Sequence, residues 1–320
     1  MPKAALEKLF SEPAVFLTGN RKNAGKTTVL NHLVRYANSK REAEHVSLFS
    51  IGWDGEGRDR IFENRKPEIT VFQGMRFLTA EYALSRADFP YRILSGFSFR
   101  SNAGNYYLCQ ALAEGKIELI GPEANYQLDE VFSIIKESMP EGTVLIDGAL
   151  DRISQMASRK APGFVFIFSP LPGKTTEQML ADFRLQLSLF ALPKAGLLSP
   201  GESEITGYSK GKVVLECGKN DPFTAESLEL VYIKGALTRS LADKFPGGLE
   251  LVVQDFTRIF LGPEIERRRI SVLEQPVPLL FCYNPGLTGI GFQSIHKELL
   301  EMNSGFFPSV RLLDVMELEN

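Results

Sequence analysis

The sequence predicts an α/β protein with a mainly parallel sheet flanked by helices, and three observations support this prediction. Short apolar runs bounded by Gly, Pro or Asn alternate with stretches of helical periodicity, as in repeated strand and helix units. The apolar runs are continuous rather than alternating, which is typical of strands covered on both faces. The composition, with 44% hydrophobic and 23% charged residues, is that of a chain with a packed core.

The first part of the chain carries most of the predicted elements. The strands are expected at 14–18, 46–51, 69–72, 117–120, 144–146 and 164–168. The helices are expected at 26–38, 77–86, 128–138 and 175–190, the last with a threonine suited to its N-cap.

A length of 320 residues favours two domains, and residues 192–209 are rich in Pro and Gly. The boundary is therefore predicted near residue 195. Residues 1–195 form the larger domain, and residues 196–320 form a smaller α/β domain that binds a partner or a ligand. The smaller domain has predicted strands at 230–233, 249–253, 279–283 and 310–315, and predicted helices near Ser240, Glu266 and Lys297.

A phosphate-binding loop is predicted between the first strand and the first helix. Its backbone N–H groups and the helix N-terminus are expected to face a β-phosphate, with Lys26 bridging the β- and γ-phosphates. The Thr27 hydroxyl is expected to ligate Mg²⁺, and Thr28 to contact the α-phosphate. The strand, loop and helix context predicts a P-loop NTPase fold. The predicted nucleotide-binding residues are Gly19, Asn20, Asn23, Ala24, Gly25, Lys26, Thr27 and Thr28.

The loop departs in one position from the usual pattern G-x-x-x-x-G-K-[ST]. Gly19 lies six positions before Gly25, so Asn20 occupies the expected glycine position. Asn tolerates positive φ better than other non-glycine residues, so the turn can form with Asn20. Alternatively, the loop is one residue longer.

The tetrapeptide GKTT of residues 25–28 recurs at residues 173–176. Pro170 and Pro172 precede the second copy, and proline offers no N–H donor to a phosphate. We therefore interpret the second copy as the start of a helix. Lys174 lies either at the rim of a base or ribose site or in a solvated turn.

Asp147 is the predicted metal-positioning carboxylate. It follows an apolar strand and precedes Gly148, which allows the chain close to a γ-phosphate. The alternative is an aspartate that caps the next helix. Lys26 and Asp147 are accordingly predicted to be catalytic, and Thr27 and Asp147 to bind the metal.

A second acidic turn follows the strand at 46–51. Asp54 in this turn is the candidate for a second catalytic and metal-linked carboxylate, and Glu56 is the next candidate. A plain turn is the alternative, because Gly and Asp are turn residues.

Two features near the predicted site, and a ligand or partner role for one turn in the predicted smaller domain, remain open. Arg21 and Lys22 either stabilise phosphate charge or are solvated loop charges. The pair at 151–152 either supplies an arginine to phosphate or forms an ion pair at a helix start. The turn at 284–286 ends a strand at the edge where α/β sheets bind ligands.

Charge and hydropathy disfavour two classes of partner. The 36 Lys and Arg are balanced by 39 Asp and Glu, a net charge of −3, which disfavours nucleic acid. No apolar stretch approaches the roughly 18 residues that span a membrane, and the N-terminal segment is too polar for a signal peptide. We therefore expect a cytoplasmic protein.

The nucleotide is predicted to be ATP rather than GTP. Guanine specificity accompanies an N-K-x-D or T-K-x-D element at a later strand end, and the sequence has none at a suitable place.

The chain resembles the nucleotide-binding subunit of lysine 5,6-aminomutase reactivase. The segments that carry the resemblance are TGNRKNAGKTT, SIGWDGEG, KPEITVFQG, LIGPE, LIDGALDR and the YNP turn near the C-terminus. The resemblance implies a P-loop protein that works beside a MutS-like ATPase subunit. On this resemblance, Gly25, Lys26, Thr27 and Thr28 bind nucleotide, and Asp54 and Asp147 lie near the metal.

The same resemblance implies a chaperone for a cobalamin-dependent aminomutase that also uses pyridoxal phosphate. Such a chaperone exchanges damaged cobalamin for intact coenzyme in a nucleotide-dependent step. Two other classes remain alternatives: a small-molecule kinase or ATP-dependent ligase, and a nucleotide-binding adaptor with negligible hydrolysis.

Overall fold

The computed structural model describes residues 3–52, 68–148, 163–196, 199–222, 224–286 and 291–315. The helices are α1 (Lys3–Phe10), α2 (Lys26–Ser39), α3 (Glu81–Leu84), α4 (Asn125–Ser138), α5 (Thr176–Phe190), α6 (Arg239–Ala242) and α7 (Phe292–Phe306). The first nine strands are β1 (Ala14–Gly19), β2 (Val46–Ser50), β3 (Ile69–Val71), β4 (Arg76–Ala80), β5 (Tyr91–Ser101), β6 (Gly104–Ala111), β7 (Gly115–Ile117), β8 (Thr143–Asp147) and β9 (Gly163–Phe168). The others are β10 (Ile205–Ser209), β11 (Lys212–Cys217), β12 (Leu230–Ile233), β13 (Leu237–Thr238), β14 (Glu250–Val253), β15 (Ile259–Phe260), β16 (Arg269–Val272), β17 (Val277–Tyr283) and β18 (Arg311–Asp314).

A nine-stranded sheet forms the larger unit, in the order β18-β17-β9-β1-β8-β2-β4-β6-β5. The strands from β18 to β4 run parallel, and β6 and β5 extend one edge as an antiparallel hairpin. Every residue of β1, β2 and β9 is buried, as continuous apolar strands covered on both faces require. The predicted α/β class, with a mainly parallel sheet flanked by helices, is confirmed.

Aromatic rings pack α5 against β9. Phe190, the last residue of α5, packs edge-on against Phe164 and Phe166 of β9, with ring centroids 5.0 and 4.8 Å apart. Phe256, from the smaller unit, lies 5.0 Å from the same Phe190 ring. Edge-to-face pairs at these distances stabilise a core beyond the effect of area burial alone.

A five-stranded sheet forms the smaller unit, in the order β11-β10-β12-β14-β16. β12, β14 and β16 are parallel, and β10 and β11 form an antiparallel hairpin. The chain enters this unit next to β16, where the Ala195 N–H donates to the Val272 carbonyl at 2.7 Å.

The C-terminal strands β17 and β18 belong to the nine-stranded sheet, where β17 pairs in parallel with β9. The strands at 279–283 and 310–315 were predicted in the smaller unit, and this prediction is wrong. Short buried strands look alike in either sheet, so their apolar pattern does not report which sheet they join.

Two local predictions are wrong. The segment 77–86 was expected to be helical, but β4 occupies its first half and only Glu81–Leu84 is α-helix. Phe77 and Leu78 are fully buried, and β4 lies between β2 and β6 in the sheet, so tertiary packing overrides helix propensity. The expected strand at 117–120 is also displaced, because β7 ends at Ile117 and pairs with β3 in a separate ribbon.

Helix length bears on the membrane prediction. The longest α-helices in the described ranges, α5 and α7, each have 15 residues. Among the residues described, no helix has both the length and the apolar character to cross a membrane.

Candidate functional site

The predicted loop and the predicted carboxylate lie on one edge of the large sheet. β1 ends at Gly19 between β8, which ends at Asp147, and β9. The register pairs Asp147 with Leu17 of β1 on one side and with Ser50 of β2 on the other. Since the carboxyl ends of parallel strands share an edge, the topology brings these residues to the usual ligand-binding side of an α/β sheet.

The backbone of the loop takes positive φ at Asn23 and Gly25, with φ of 60° and 101°, rather than at Asn20. Asparagine is among the few non-glycine residues that adopt this conformation readily. The expectation that Asn20 carries the strained turn is therefore wrong.

Position 19 requires glycine, because neighbouring atoms leave no room there for a side chain. A Cβ on Gly19 would lie 2.8 Å from the Cβ of Ala24 and 3.0 Å from the Ile167 carbonyl oxygen. Gly19 and Ala24 therefore lie against each other at the two ends of the loop. This geometry favours the alternative of a loop one residue longer than the usual pattern.

Asn20 and Arg21 fasten the loop to the end of β9. The Asn20 side chain donates to the Ser169 carbonyl at 2.9 Å and accepts from the Ser169 N–H at 2.8 Å. Nη2 of Arg21 donates to the Ser169 hydroxyl at 2.9 Å. Arg21 is thus a fixed, partly buried cation within the loop and not a freely solvated charge.

Asn284 fastens the other end of the loop to β17. Its Nδ2 donates to the Ala24 carbonyl at 2.8 Å, while its Oδ1 accepts from the Gly286 N–H at 3.0 Å. Its own N–H donates to the Phe168 carbonyl at 2.8 Å. A Cβ on Gly25 would lie only 2.5 Å from Asn284 Nδ2, so this contact also requires glycine at position 25.

Helix α2 begins directly after this turn without a side-chain cap. Gly25 occupies the N-cap, and the first helical N–H with a backbone acceptor is that of Val29, which donates to the Gly25 carbonyl at 3.1 Å. Within the described part of the chain, the N–H groups of residues 25–28 have no acceptor. Such a helix start carries partial positive charge and is suited to an anion.

The second copy of the tetrapeptide begins a helix in another way. Thr175 is the N-cap of α5, and its hydroxyl accepts from the Gln178 N–H at 3.3 Å. The Gln178 side chain accepts in return from the Thr175 N–H at 3.0 Å. Lys174 forms an ion pair with Asp182. The interpretation as a helix start is confirmed, and a capping box already satisfies the N–H groups of Thr175 and Gln178.

Gly148, directly after Asp147, packs closely against β1. A Cβ on Gly148 would lie 2.4 Å from Cζ of Phe16, and the Gly148 N–H donates to the Leu17 carbonyl at 3.1 Å. The chain therefore passes close to β1 after Asp147.

Other predicted residues fall outside the described ranges: Asp54, Glu56, Asp151 and Arg152. Among the described residues, no group of three or more His, Cys, Asp or Glu is arranged to hold a metal ion. Thr27 and Asp147 are the predicted metal ligands with a described position. Mg²⁺ in nucleotide sites commonly takes one or two protein ligands and fills its coordination shell with phosphate and water.

Sequence reasoning missed the partners that hold the loop, Ser169 and the amide of Asn284. The signal for Asn284 was its place at the end of an apolar strand, at 284–286. The preceding residue, Tyr283, is fully buried, and its hydroxyl contacts Met179 of α5 at 3.4 Å. Burial, with a smaller contribution from the Asp314 carboxylate, raises the pKa of the Tyr283 phenol to about 12, so this support for Asn284 stays uncharged near neutral pH.

Comparisons with known proteins add no assignment. No protein-family model matches the chain, and neither a curated protein nor a solved structure matches it.

Proposed function

We propose that the chain binds a Mg²⁺–nucleoside triphosphate at residues 19–28 and acts as a nucleotide-driven reactivating chaperone for a cobalamin-dependent aminomutase. The observation that supports nucleotide binding is the start of α2, which follows a glycine turn, has no side-chain cap and has Lys26 as its first residue. A helix start with no capping group leaves donors that an anion satisfies.

The residues present fit a triphosphate. The loop is a backbone cradle in which a Cβ at Gly19 or Gly25 would fill space that the chain itself needs. The N–H groups of residues 25–28 would hold a β-phosphate, and the Lys26 ammonium would neutralise the β- and γ-phosphates.

The metal site is proposed at Thr27 and Asp147, with Asp54 as a further candidate. Mg²⁺, when bound, bridges β- and γ-phosphate oxygens and stabilises the charge of phosphoryl transfer. The hydroxyl of Thr27 lies in the first turn of α2, and Asp147 ends the adjacent strand. This arrangement of a first-turn hydroxyl and a strand-end carboxylate supports the proposal.

The proposed nucleotide is ATP rather than GTP. The strand ends whose following residues are hydrogen-bonded to the loop are those of β9 and β17, followed by Ser169-Pro170 and Asn284-Pro285. Neither is the start of an N-K-x-D or T-K-x-D element, which supports ATP.

The chaperone step rests on the resemblance to the reactivase subunit. A γ-phosphate with its Mg²⁺ can order the loops that contact it, and hydrolysis releases them. The loop is hydrogen-bonded to the residues that follow β9 and β17, so a movement of the loop on loss of the phosphate would be transmitted to these two strand ends. The aminomutase and a MutS-like ATPase subunit are the proposed partners.

Calorimetric titration with MgATP tests the binding step, and the repeated tetrapeptide provides a matched control. Wild type is expected to bind one equivalent, Lys26→Ala to lose binding by at least about 100-fold, and Lys174→Ala to bind as wild type. Binding that survives Lys26→Ala would contradict the proposal.

ATP turnover then distinguishes the functions. Stimulation by an aminomutase together with its MutS-like companion supports the chaperone. ADP formation stimulated by a small metabolite alone would instead identify a kinase or ligase. Tight binding without turnover until a partner is added would identify an adaptor.

A further inference from the structure

We propose that Asn284 is a positioning residue for phosphate binding: it orients the peptide between Ala24 and Gly25 so that the Gly25 N–H faces the phosphate. This inference rests on the proposed function and adds to it a residue 260 positions away from the loop.

The peptide unit between Ala24 and Gly25 has a defined orientation. A trans peptide is planar, and its C=O and N–H point in opposite directions. The Ala24 carbonyl accepts from Asn284 Nδ2 at 2.8 Å, so it points toward β17. The Gly25 N–H must therefore point away from Asn284, and it has no acceptor among the described residues.

The orientation of the Asn284 amide is itself fixed. Its Oδ1 accepts from the Gly286 N–H at 3.0 Å, and its main-chain N–H is bound to Phe168. These bonds leave only the NH₂ end to face Ala24. An aspartate at this position would place an oxygen against the Ala24 carbonyl, which would repel it.

The conformation of Gly25 depends on the same contact. With φ of 101° this residue occupies a region that L-residues rarely adopt. A reversed peptide would turn the Ala24 carbonyl toward the site, and a carbonyl oxygen repels a phosphate. The bond from Asn284 opposes this reversal.

The alternative is that Asn284 only stabilises the fold. Asn31 in the second turn of α2 provides a matched control, because its amide makes an equivalent bridge elsewhere. Its Nδ2 donates to the Glu68 carbonyl at 3.3 Å, and its Oδ1 accepts from the Thr70 N–H at 2.8 Å. Neither partner belongs to the loop.

The experiment compares Asn284→Ala with Asn31→Ala in the full chain. Calorimetry measures the affinity for MgATP and for Mg²⁺–tripolyphosphate, which has no base or ribose, and thermal unfolding measures stability. We expect Asn284→Ala to weaken both ligands by the same factor, about tenfold, which is the upper range for loss of one hydrogen bond. Asn31→Ala should lower the melting temperature while both affinities remain within about twofold of wild type.

Three results would overturn the inference. They are an Asn284→Ala protein that binds both ligands as wild type does, a loss confined to MgATP, and an equal loss in Asn31→Ala. If Asn284→Ala does not fold, Asn284→Asp keeps the size of the side chain without the donor, and wild-type affinity in that variant would equally overturn the inference. A wild-type protein that binds neither ligand would instead remove the proposed function itself.

Discussion

The tetrapeptide GKTT occurs twice in this chain, and the two copies differ in how the following helix begins. Both follow a buried strand of the large sheet, and both glycines have positive φ, 101° at Gly25 and 81° at Gly173. At the first copy the helix starts immediately after glycine and has no side-chain cap. At the second copy the helix starts two residues later, behind a threonine that caps it.

The same tetrapeptide therefore precedes an uncapped helix start in one place and a capped one in the other, and on the proposed function only the uncapped start receives an anion. Thr175 and Gln178 satisfy each other in a capping box, and Lys174 is paired with Asp182. The corresponding donors at residues 25–28 have no acceptor in the described ranges. Residues at the ends of β9 and β17 hold the first loop through Asn20, Arg21 and Ala24, and none of these bonds uses the N–H groups of residues 25–28.

The largest difference between the two copies is expected when each glycine is replaced by alanine. Gly25→Ala puts a Cβ 2.5 Å from Asn284 Nδ2 at a φ of 101°, and we expect a loss of about 3 kcal/mol in the free energy of unfolding, together with loss of MgATP binding. Gly173→Ala meets no atom within 4 Å, so only backbone strain remains, about 1 kcal/mol, and binding is kept. Urea denaturation of both variants measures the difference. Equal losses would show that the contact with Asn284 is unimportant.

A smaller difference in MgATP affinity is expected when one carboxylate near each copy is replaced by an amide. Asp147→Asn is expected to weaken MgATP binding about tenfold when Mg²⁺ is present and to leave ATP binding in EDTA unchanged, because a neutral amide is a poor ligand for Mg²⁺. Asp182→Asn removes the partner of Lys174 and should leave both affinities at the wild-type value. The account of Asp147 is wrong if its loss is the same with and without Mg²⁺.

Much of the region around the loop could be predicted from sequence alone. The strand before it and the helix after it were predicted to within one residue of β1 and α2, because the apolar run and the helical period are local properties. Asp147 was likewise predicted at the end of a strand, and β8 is the direct neighbour of β1. These predictions need only the order of elements and the rule that parallel strands share an edge.

The contacts that hold the loop could not be predicted in the same way. Asn284 is 260 residues from Ala24, and no local pattern indicates which carbonyl its amide meets. The same limit explains why β17 and β18 were assigned to the smaller unit, since strand pairing across an inserted sheet is a property of the whole chain. Positive φ was expected at Asn20 but occurs at Asn23, and the Asn20 side chain is instead hydrogen-bonded to Ser169, a contact that no local pattern indicates.

The most direct test of the central claim observes the two glycine amides in one sample. Glycine-selective ¹⁵N labelling and titration with Mg²⁺–tripolyphosphate would follow Gly25 and Gly173, assigned through their alanine variants. We predict a saturable downfield shift of the Gly25 N–H, as expected when a backbone amide donates to a phosphate oxygen, and no shift at Gly173. A shift at Gly173, or an unmoved Gly25 signal at saturating ligand, would contradict the account.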